Sequence, residues 1–465
     1  MIYKIVFFYN VLVIIYFFAL NFFYLFLLLL ATGQLYYFKR KCEVCPHEEN
    51  ESILTPTIAM LVPAYNEELT IIESIHSLLD VDYPELEIIA VNDGSTDETL
   101  RVLKDEFQLV QFPRAEEDKI LTKPVKGVYK SMADNRLVVI DKENGGKADS
   151  LNAGVNYSRS RLFCAIDADS LVEKDALQKL VHVYMDRTAK VIAVGGIVRI
   201  ANDCLIDKGE VREVKMPKRF LPAIQVMEYI RAFLCGRAGW SRMNNLLIIS
   251  GAFGLFKRQS VLEAGGYRTD TVGEDMELVV RLHRMMRNQK KEYKIEFIPN
   301  PVCWTEAPDT LRILARQRNR WQRGLIETFL FHKKMMFNPK YGLIGFISMP
   351  YFFLFEILGP VIEVTGYFTV IISYILGWLN MKFVILFLFL AILFGVILSL
   401  FSLLLEEFTV KKYDRPKDVA RLFLMAVIEN FGYRQVHSWW RLKAIFDVMR
   451  KKKGWGKMER KPFAN

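Results

Sequence analysis

Cysteine is scarce and scattered, with six in 465 residues, at Cys42, Cys45, Cys164, Cys204, Cys235 and Cys303. Thiols in or beside a cytoplasmic region stay reduced, so no disulfide framework is implied. Cys42-Glu-Val-Cys45 followed by His47 resembles half of a zinc site, but no second Cys-x-x-Cys or His pair completes it. No small-residue cleavage site follows the first apolar run, which excludes a cleavable signal. No recognised nucleic-acid motif accompanies the net charge of +10, so nucleic acid is not the expected partner. What is abundant is apolar: 52% of residues are hydrophobic and 34 are Phe, yet 25% are charged. The average hides two populations, because Ile5–Phe38 and Tyr341–Leu405 are apolar while Lys39–Lys340 has an ordinary globular composition. A membrane protein with a large soluble domain follows, which excludes a disordered chain, a collagen, a small disulfide scaffold and a wholly soluble enzyme.

As a helix, Ile5–Phe38 is about 51 Å long against a hydrocarbon core of about 30 Å, and two spans with a turn need more than about 40 residues. One long tilted span is the economical reading. Only Lys4 precedes it and Lys39-Arg40-Lys41 follows, so the middle domain is placed on the cytoplasmic side. Apolar material returns as Leu343–Leu358, Val361–Leu379 and Phe383–Leu405, followed by an amphipathic stretch, Val419–Trp440. A basic tail with nine Lys/Arg between Arg441 and Lys461 belongs inside as well. An even number of later spans is therefore required, two with interfacial helices or four, and Lys411, Lys412, Arg415 and Lys417 favour two. Glu356 and Glu363 either face a polar cavity or interface, or lie solvated at the surface. The boundaries read as 1–38 for the first span, 39–340 for the soluble domain, 341–440 for the membrane region and 441–465 for the tail.

Within the soluble part, short apolar runs (Thr57–Val62, Leu86–Val91, Leu137–Ile140, Leu162–Ile166) alternate with helix-like segments. This predicts an α/β domain with a mostly parallel sheet covered by helices, and ligands at the carboxyl ends of the strands. The second run ends in Asn92-Asp93-Gly94-Ser95-Thr96-Asp97, where Asp93 can accept from a base or sugar or can serve the turn. The fourth ends in Asp167-Ala168-Asp169; two carboxylates at i and i+2 on a strand share a face and suit one hard cation. Asn144-Gly145-Gly146-Lys147 opens a helix-like segment, Ala148–Val155, where glycine N–H groups and a lysine favour an anion, although the Walker spacing is missing. Asp275, in Gly273-Glu274-Asp275, is either a general base or first-turn helix charge. Gln317-Arg318-Asn319-Arg320-Trp321 lies in a basic amphipathic helix that also reads as a membrane-surface helix.

The order of these motifs, starting from Val62-Pro63-Ala64-Tyr65-Asn66-Glu67 and ending in Gln317-x-x-Arg320-Trp321, resembles the family 2 glycosyltransferases over residues 57–340. More narrowly it is similar to the processive membrane synthases of cellulose, other β-glucans, hyaluronan, chitin and poly-β-GlcNAc. The resemblance implies a GT-A nucleotide-binding domain inserted between transmembrane helices and a UDP-sugar donor. It implies that Tyr65, Glu67 and Asp93 hold the uridine and that Lys147 lies near the diphosphate. Asp167 and Asp169 would form the DxD motif, with Asp169 the main ligand of Mg²⁺ or Mn²⁺. Asp275 corresponds to the catalytic base, beside Glu274, and Gln317, Arg320 and Trp321 to the acceptor end, which Ser250 and Gly251 would also approach.

These roles are chemically coherent. A cation together with Arg320 and Lys147 opposes the charge that builds on the leaving UDP. Asp275 takes the proton of the attacking hydroxyl, and attack from the opposite face turns an α-linked donor into a β-linkage without a covalent enzyme intermediate. Trp321 offers an apolar face to the terminal sugar of the growing polysaccharide. The chain departs from the pattern at Asn92, where an acidic residue is often found, and at Gly273, where Thr or Glu is usual. Gln108–Asn135 and Ala201–Arg219 read as inserted polar loops. No appended regulatory domain is expected after the membrane region, so control by a bound second messenger would need a partner protein. The leading expectation is a β-glucan made from UDP-glucose, with a GlcNAc polymer as the alternative. A single-addition transferase would not need Gln317-x-x-Arg320-Trp321, and a non-enzymatic scaffold or transporter would not need Asp169 and Asp275.

Overall fold

The computed structural model describes residues 1–44, 55–113, 119–185, 190–207, 209–450 and 452. Cys45 and His47 of the half zinc site lie outside them, as does most of the chain after Arg450. Two compact units form, a sheet unit of Tyr37–Pro217 and Met243–Ala307, and a helical unit of Met1–Tyr36, Lys218–Arg242 and the chain from Pro308. Segments 218–242 and 308–340, which the sequence boundaries place in the middle domain, therefore belong with the apolar helices. Their side chains explain why: the Trp240 ring lies 5.6 Å from Phe23 and 5.1 Å from Tyr351. At Gly239 an added Cβ would stand 2.6 Å from the Leu27 carbonyl, so the backbones approach as only glycine permits.

Among the described residues the sheet unit carries twelve strands in chain order: β1 (Ile58–Ala64), β2 (Leu86–Asn92), β3 (Leu109–Phe112), β4 (Val125–Ser131), β5 (Leu137–Lys142), β6 (Leu162–Ile166), β7 (Ser170–Val172), β8 (Val191–Ile200), β9 (Leu205–Asp207), β10 (Glu210–Glu213), β11 (Phe253–Lys257) and β12 (Lys294–Thr305). Ten of them form one sheet in the order β3-β4-β5-β2-β1-β6-β11-β8-β12-β7. Strands β5, β2, β1 and β6 run parallel, and β8 pairs with β12 in parallel, while β4, β11 and β7 run against their neighbours. The sheet is thus mixed but mostly of one direction. The parallel strands are continuous apolar runs because neither face meets water, and every residue of β5, β6 and β8 is buried.

The two inserted loops are hairpins. Residues Leu109–Phe112 and Val125–Ser131 add an antiparallel edge to the main sheet, and Leu205–Asp207 with Glu210–Glu213 makes a separate two-stranded ribbon. Val125-Lys-Gly-Val-Tyr-Lys-Ser131 has only three positions out of seven that favour a core, which is why its polarity reads as loop.

The first apolar run lies in one continuous helix, Ile2–Val44, of which the helical unit takes the part up to Tyr36. Among the described residues two helices are long and apolar enough to cross a membrane, Ile2–Lys39 and Met381–Thr409, and the pair Ile344–Ile357 and Gly359–Ile375, bent by 43°, adds a third if it is one span. The amphipathic stretch Val419–Trp440 is two helices, Pro416–Ile428 and Tyr433–Met449, because the chain breaks at Gly432 with φ 85°. The second of these takes in Arg441, so the basic stretch begins inside a helix. The bend at Gly359-Pro360 has a covalent cause. Proline has no N–H, so the Glu356 carbonyl loses its partner four residues on. That carbonyl accepts instead from Gln322 Nε2 at 2.8 Å and Arg441 Nη2 at 2.6 Å. The Glu356 carboxylate also pairs with Arg441 at 2.6 Å, and Glu363 accepts from Tyr16 and Ser438. Both glutamates are therefore partnered within the protein rather than left to solvent.

Candidate active site

The motifs of the sheet unit follow the ends of its parallel strands. Asn66, in the left-handed region at φ 57°, turns the chain after β1 and binds the loop after β2, accepting from Thr96 N at 2.8 Å and donating its own N–H to Ser95 Oγ at 3.0 Å. Tyr65 is half exposed beside it, and Glu67 is buried with its carboxylate accepting from Thr70 Oγ1. Asn92 donates to the buried Asp141 at 2.7 Å, which accounts for the departure at this position: an acid there would face a second carboxylate.

Asp93 is buried and its carboxylate takes three donors, Lys142 Nζ at 2.7 Å, Gly145 N at 2.9 Å and Gly146 N at 2.7 Å. The two glycine N–H groups expected to face an external anion thus donate to the chain's own carboxylate. Gly146, at φ 87°, supplies the left-handed turn into the Lys147–Tyr157 helix. Lys142, wholly buried, also pairs with Asp149 at 2.6 Å. Sequence reading missed Lys142, since a single lysine at a strand end matches no motif. Asp149 shows in the sequence only as first-turn helix charge.

Asp167 and Asp169 sit in the turn after β6 rather than on the strand, because the strand ends at Ile166 and β7 starts only at Ser170. The Asp167 carboxylate pairs with Lys147 Nζ. That ammonium also donates to the Gly251 carbonyl at 3.1 Å. Burial pushes the Lys147 pKa down, but Asp167, Glu274 and Asp275 more than offset it, and the net direction is up, so Lys147 is a cation at neutral pH. Asp275 lies in the first turn of the Glu274–Asn288 helix, where the helix dipole favours its negative charge. Its Oδ2 accepts from Gly251 N at 3.1 Å.

Lys147, Ser250, Gly251, Glu274 and Asp275 line one small cleft with Tyr267. Burial, and then the charges of Glu274 and Asp275, push the Tyr267 hydroxyl well above its ordinary pKa, so it stays protonated. Tyr267 carried no sequence signal, since nothing about its spacing singles it out. A Cβ on Gly251 would stand 3.2 Å from Lys147 Nζ and 3.3 Å from Asp275 Oδ2. Glycine is needed there for room, not for its φ. His283, from the same helix as Asp275, is a core residue: both ring nitrogens are engaged, by Tyr293 OH and the Leu246 carbonyl, and burial lowers its pKa to about 4.

Gln317, Arg320 and Trp321 belong to the helical unit, on the Leu311–His332 helix. Trp321 is 43% exposed and its ring is stacked by Arg318, whose guanidinium lies 4.3 Å from the ring centre. Arg318 is held in turn by Glu228 at 2.7 Å, which also accepts from Tyr433. The exposed indole is therefore braced from behind by a buried ion pair.

Among the described residues no group of three or more His, Cys, Asp or Glu forms a metal site. Asp167 and Asp169, in the turn after β6, are oxygen donors of the type suited to a hard cation that takes one or two carboxylates and completes its shell with phosphate oxygens.

The fold is that of the GT-A glycosyltransferases. A solved mannosyltransferase, PcManGT from Pyrobaculum calidifontis in complex with GDP-Man and Mn²⁺, superposes with a TM-score of 0.53 at 17% identity, covering 95% of this chain and 99% of that one. The family model described as Glycosyl transferase family 2 matches residues 60–261, and that described as Glycosyl transferase family group 2 matches residues 162–398. The chain belongs to this glycosyltransferase group and is an enzyme of that class. Among curated relatives, a poly-beta-1,6-N-acetyl-D-glucosamine synthase of Staphylococcus epidermidis is 29% identical over 305 residues, 64% of this chain and 62% of that protein. One of Staphylococcus aureus (strain COL) is 30% identical over 274 residues, 59% of this chain and 55% of that protein. The chain thus aligns with less than two thirds of the length of these relatives.

Proposed function

We propose that this chain is an inverting, processive synthase that adds N-acetylglucosamine from UDP-GlcNAc to a β-linked polysaccharide. The observation that carries the reading is the cleft in which Lys147, bound to Asp167, and Asp275, bound to Gly251 N–H, face the same small space. The sugar follows from the relatives, which are named as GlcNAc polymer synthases. The leading expectation of a β-glucan from UDP-glucose accordingly gives way to its alternative.

Tyr65, Glu67 and Asp93 hold the uridine, Asp93 through the lone pair left over from its three internal donors. Asp167 and Asp169 hold Mg²⁺ or Mn²⁺, which supplies charge neutralisation at the diphosphate when bound. Lys147 opposes the negative charge left on UDP, and the Gly251 N–H keeps the Asp275 carboxylate oriented to take the acceptor's proton. Gln317, Arg320 and Trp321 receive the acceptor end, with Ser250, Gly251 and Glu274 beside the reacting groups. The sheet unit faces the cytoplasm, and the apolar helices anchor the chain in the bilayer and pass the polymer outward.

The test is UDP release and polymer formation by the full chain in membrane vesicles with Mg²⁺ or Mn²⁺, given UDP-GlcNAc or UDP-glucose separately. High-molecular-weight product from UDP-GlcNAc, cut by a β-1,6-specific N-acetylglucosaminidase, is expected. Polymer from UDP-glucose alone would restore the β-glucan reading, and UDP release with single-sugar products would point to a single-addition transferase.

A further inference from the structure

We infer that Lys142, through Asp93 and Asp149, is a positioning residue that sets the donor-binding loop and with it the place of Lys147. This rests on the reading of the cleft as the nucleotide-sugar site.

Lys142 ends β5, is wholly buried, and gives its ammonium protons to Asp93 at 2.7 Å, Asp149 at 2.6 Å and the Glu143 carbonyl at 2.6 Å. A lysine in the interior with all three donors used is an expensive arrangement unless it organises something. What it organises is the chain between its partners. Asp93 holds the N–H groups of Gly145 and Gly146, and its carbonyl accepts from Asn144 Nδ2 at 2.8 Å. Asp149 also accepts from Lys123 N, which ties the segment leading into β4 to the first turn of the Lys147–Tyr157 helix.

Packing is equally close. A Cβ at Gly145 would stand 2.5 Å from the Asp149 carboxyl, and one at Gly94 2.8 Å from Asn144 N. The loop therefore has one seating, fixed on one side by Asp93 and on the other by Asp149, with Lys142 between them. Lys147 leaves that loop at the next residue and reaches Asp167 and the Gly251 carbonyl. Lys142 does not itself line the cleft. Its effect is to neutralise two carboxylates that would otherwise repel a diphosphate, and to hold the backbone that aims Lys147.

The experiment uses the full chain in detergent or vesicles and compares Lys142→Met, Lys142→Arg and Asp149→Asn, reading UDP affinity by calorimetry and kcat and KM for UDP-GlcNAc. Lys142→Met is expected to raise the donor KM and the UDP Kd about tenfold or more, the size of one misplaced charge-assisted hydrogen bond, with kcat falling less. Lys142→Arg, which can still pair with both carboxylates, recovers most of that loss. Should Lys142→Met fail to fold, Asp149→Asn decides. Its amide oxygen can still accept from Lys123 N, so it keeps the fold and is expected to raise KM several-fold. Folded variants with wild-type donor KM, or with a loss confined to kcat or melting temperature, would overturn the positioning role. A wild-type chain that binds no UDP would instead sink the donor reading and this inference with it.

Discussion

The cleft of the sheet unit and the joints of the helical unit bury charge by different chemistry. Around that cleft the central cation is a lysine with aspartates, brought together from strand ends and loops no more than 49 positions apart: Lys142 with Asp93 and Asp149, Lys147 with Asp167. In the helical unit it is arginine with glutamate, joining helices far apart in sequence: Arg231 with Glu429, Arg318 with Glu228, Arg441 with Glu356. A compact ammonium suits a loop whose partner set can include a ligand oxygen, whereas a planar fork with five donors suits a fixed joint between helices. The difference separates groups arranged for chemistry from groups arranged for architecture, and substitutions should separate the two in the same way.

Asp275→Asn should have the largest effect, lowering turnover by about 10²–10⁴-fold while UDP binding stays within a few-fold, because only proton removal is lost. Initial rates beside calorimetric UDP affinity check it, and a variant that still polymerises at the native rate would remove Asp275 as base. Arg231→Met should act in the opposite sense, destabilising the fold by about 3 kcal/mol, since it strands the wholly buried Glu429, yet leaving UDP affinity unchanged. A melting curve with and without UDP reads both, and a lost UDP shift would show that the two kinds of buried pair are not separable. Gly251→Ala forces Lys147 and Asp275 aside by a few tenths of an ångström, and should lower kcat about tenfold with little loss of stability; unchanged kcat would mean the cleft is looser than its contacts imply.

A last effect, on stability alone, is set by pH. His283 is neutral when folded, with its pKa lowered from 6.5 to about 4 by burial. The unfolded chain binds the extra proton between those values, so stability is full above pH 6.5 and falls as the pH drops towards 4, by up to about 3 kcal/mol. His283→Gln should flatten that part of a melting-temperature profile, and an unchanged slope would assign it to other groups.

Much of the sheet unit was legible in the sequence because its parallel strands are unbroken apolar runs ending in polar turns; Leu162–Ile166 needs no adjustment, and Leu86–Val91 is extended only by Asn92. Motif residues such as Lys147, Gly251 and Asp275 announce their neighbourhood through glycines and charges. The Lys142 cluster does not, because burial of a single lysine is decided by what folds over it. The turn at Asp167 and the edge strand Val125–Ser131 were obscured by hydrogen-bond pairing, which no local pattern encodes. The assignment of 218–242 to the helical unit rests on partners such as Phe23 and Tyr351, more than a hundred positions away.

Pro360 links bond chemistry to the order of synthesis. By withholding one hydrogen it leaves the Glu356 carbonyl open, and the two side chains that close it come from residues 322 and 441. The first is already made when the proline emerges; the second is about eighty residues away on the growing chain. Until Arg441 arrives, this backbone oxygen has half its final complement in a setting where water is scarce. The bend thus closes late: the early helices can form in sequence, but their joint is sealed only once the Tyr433–Met449 helix has been made.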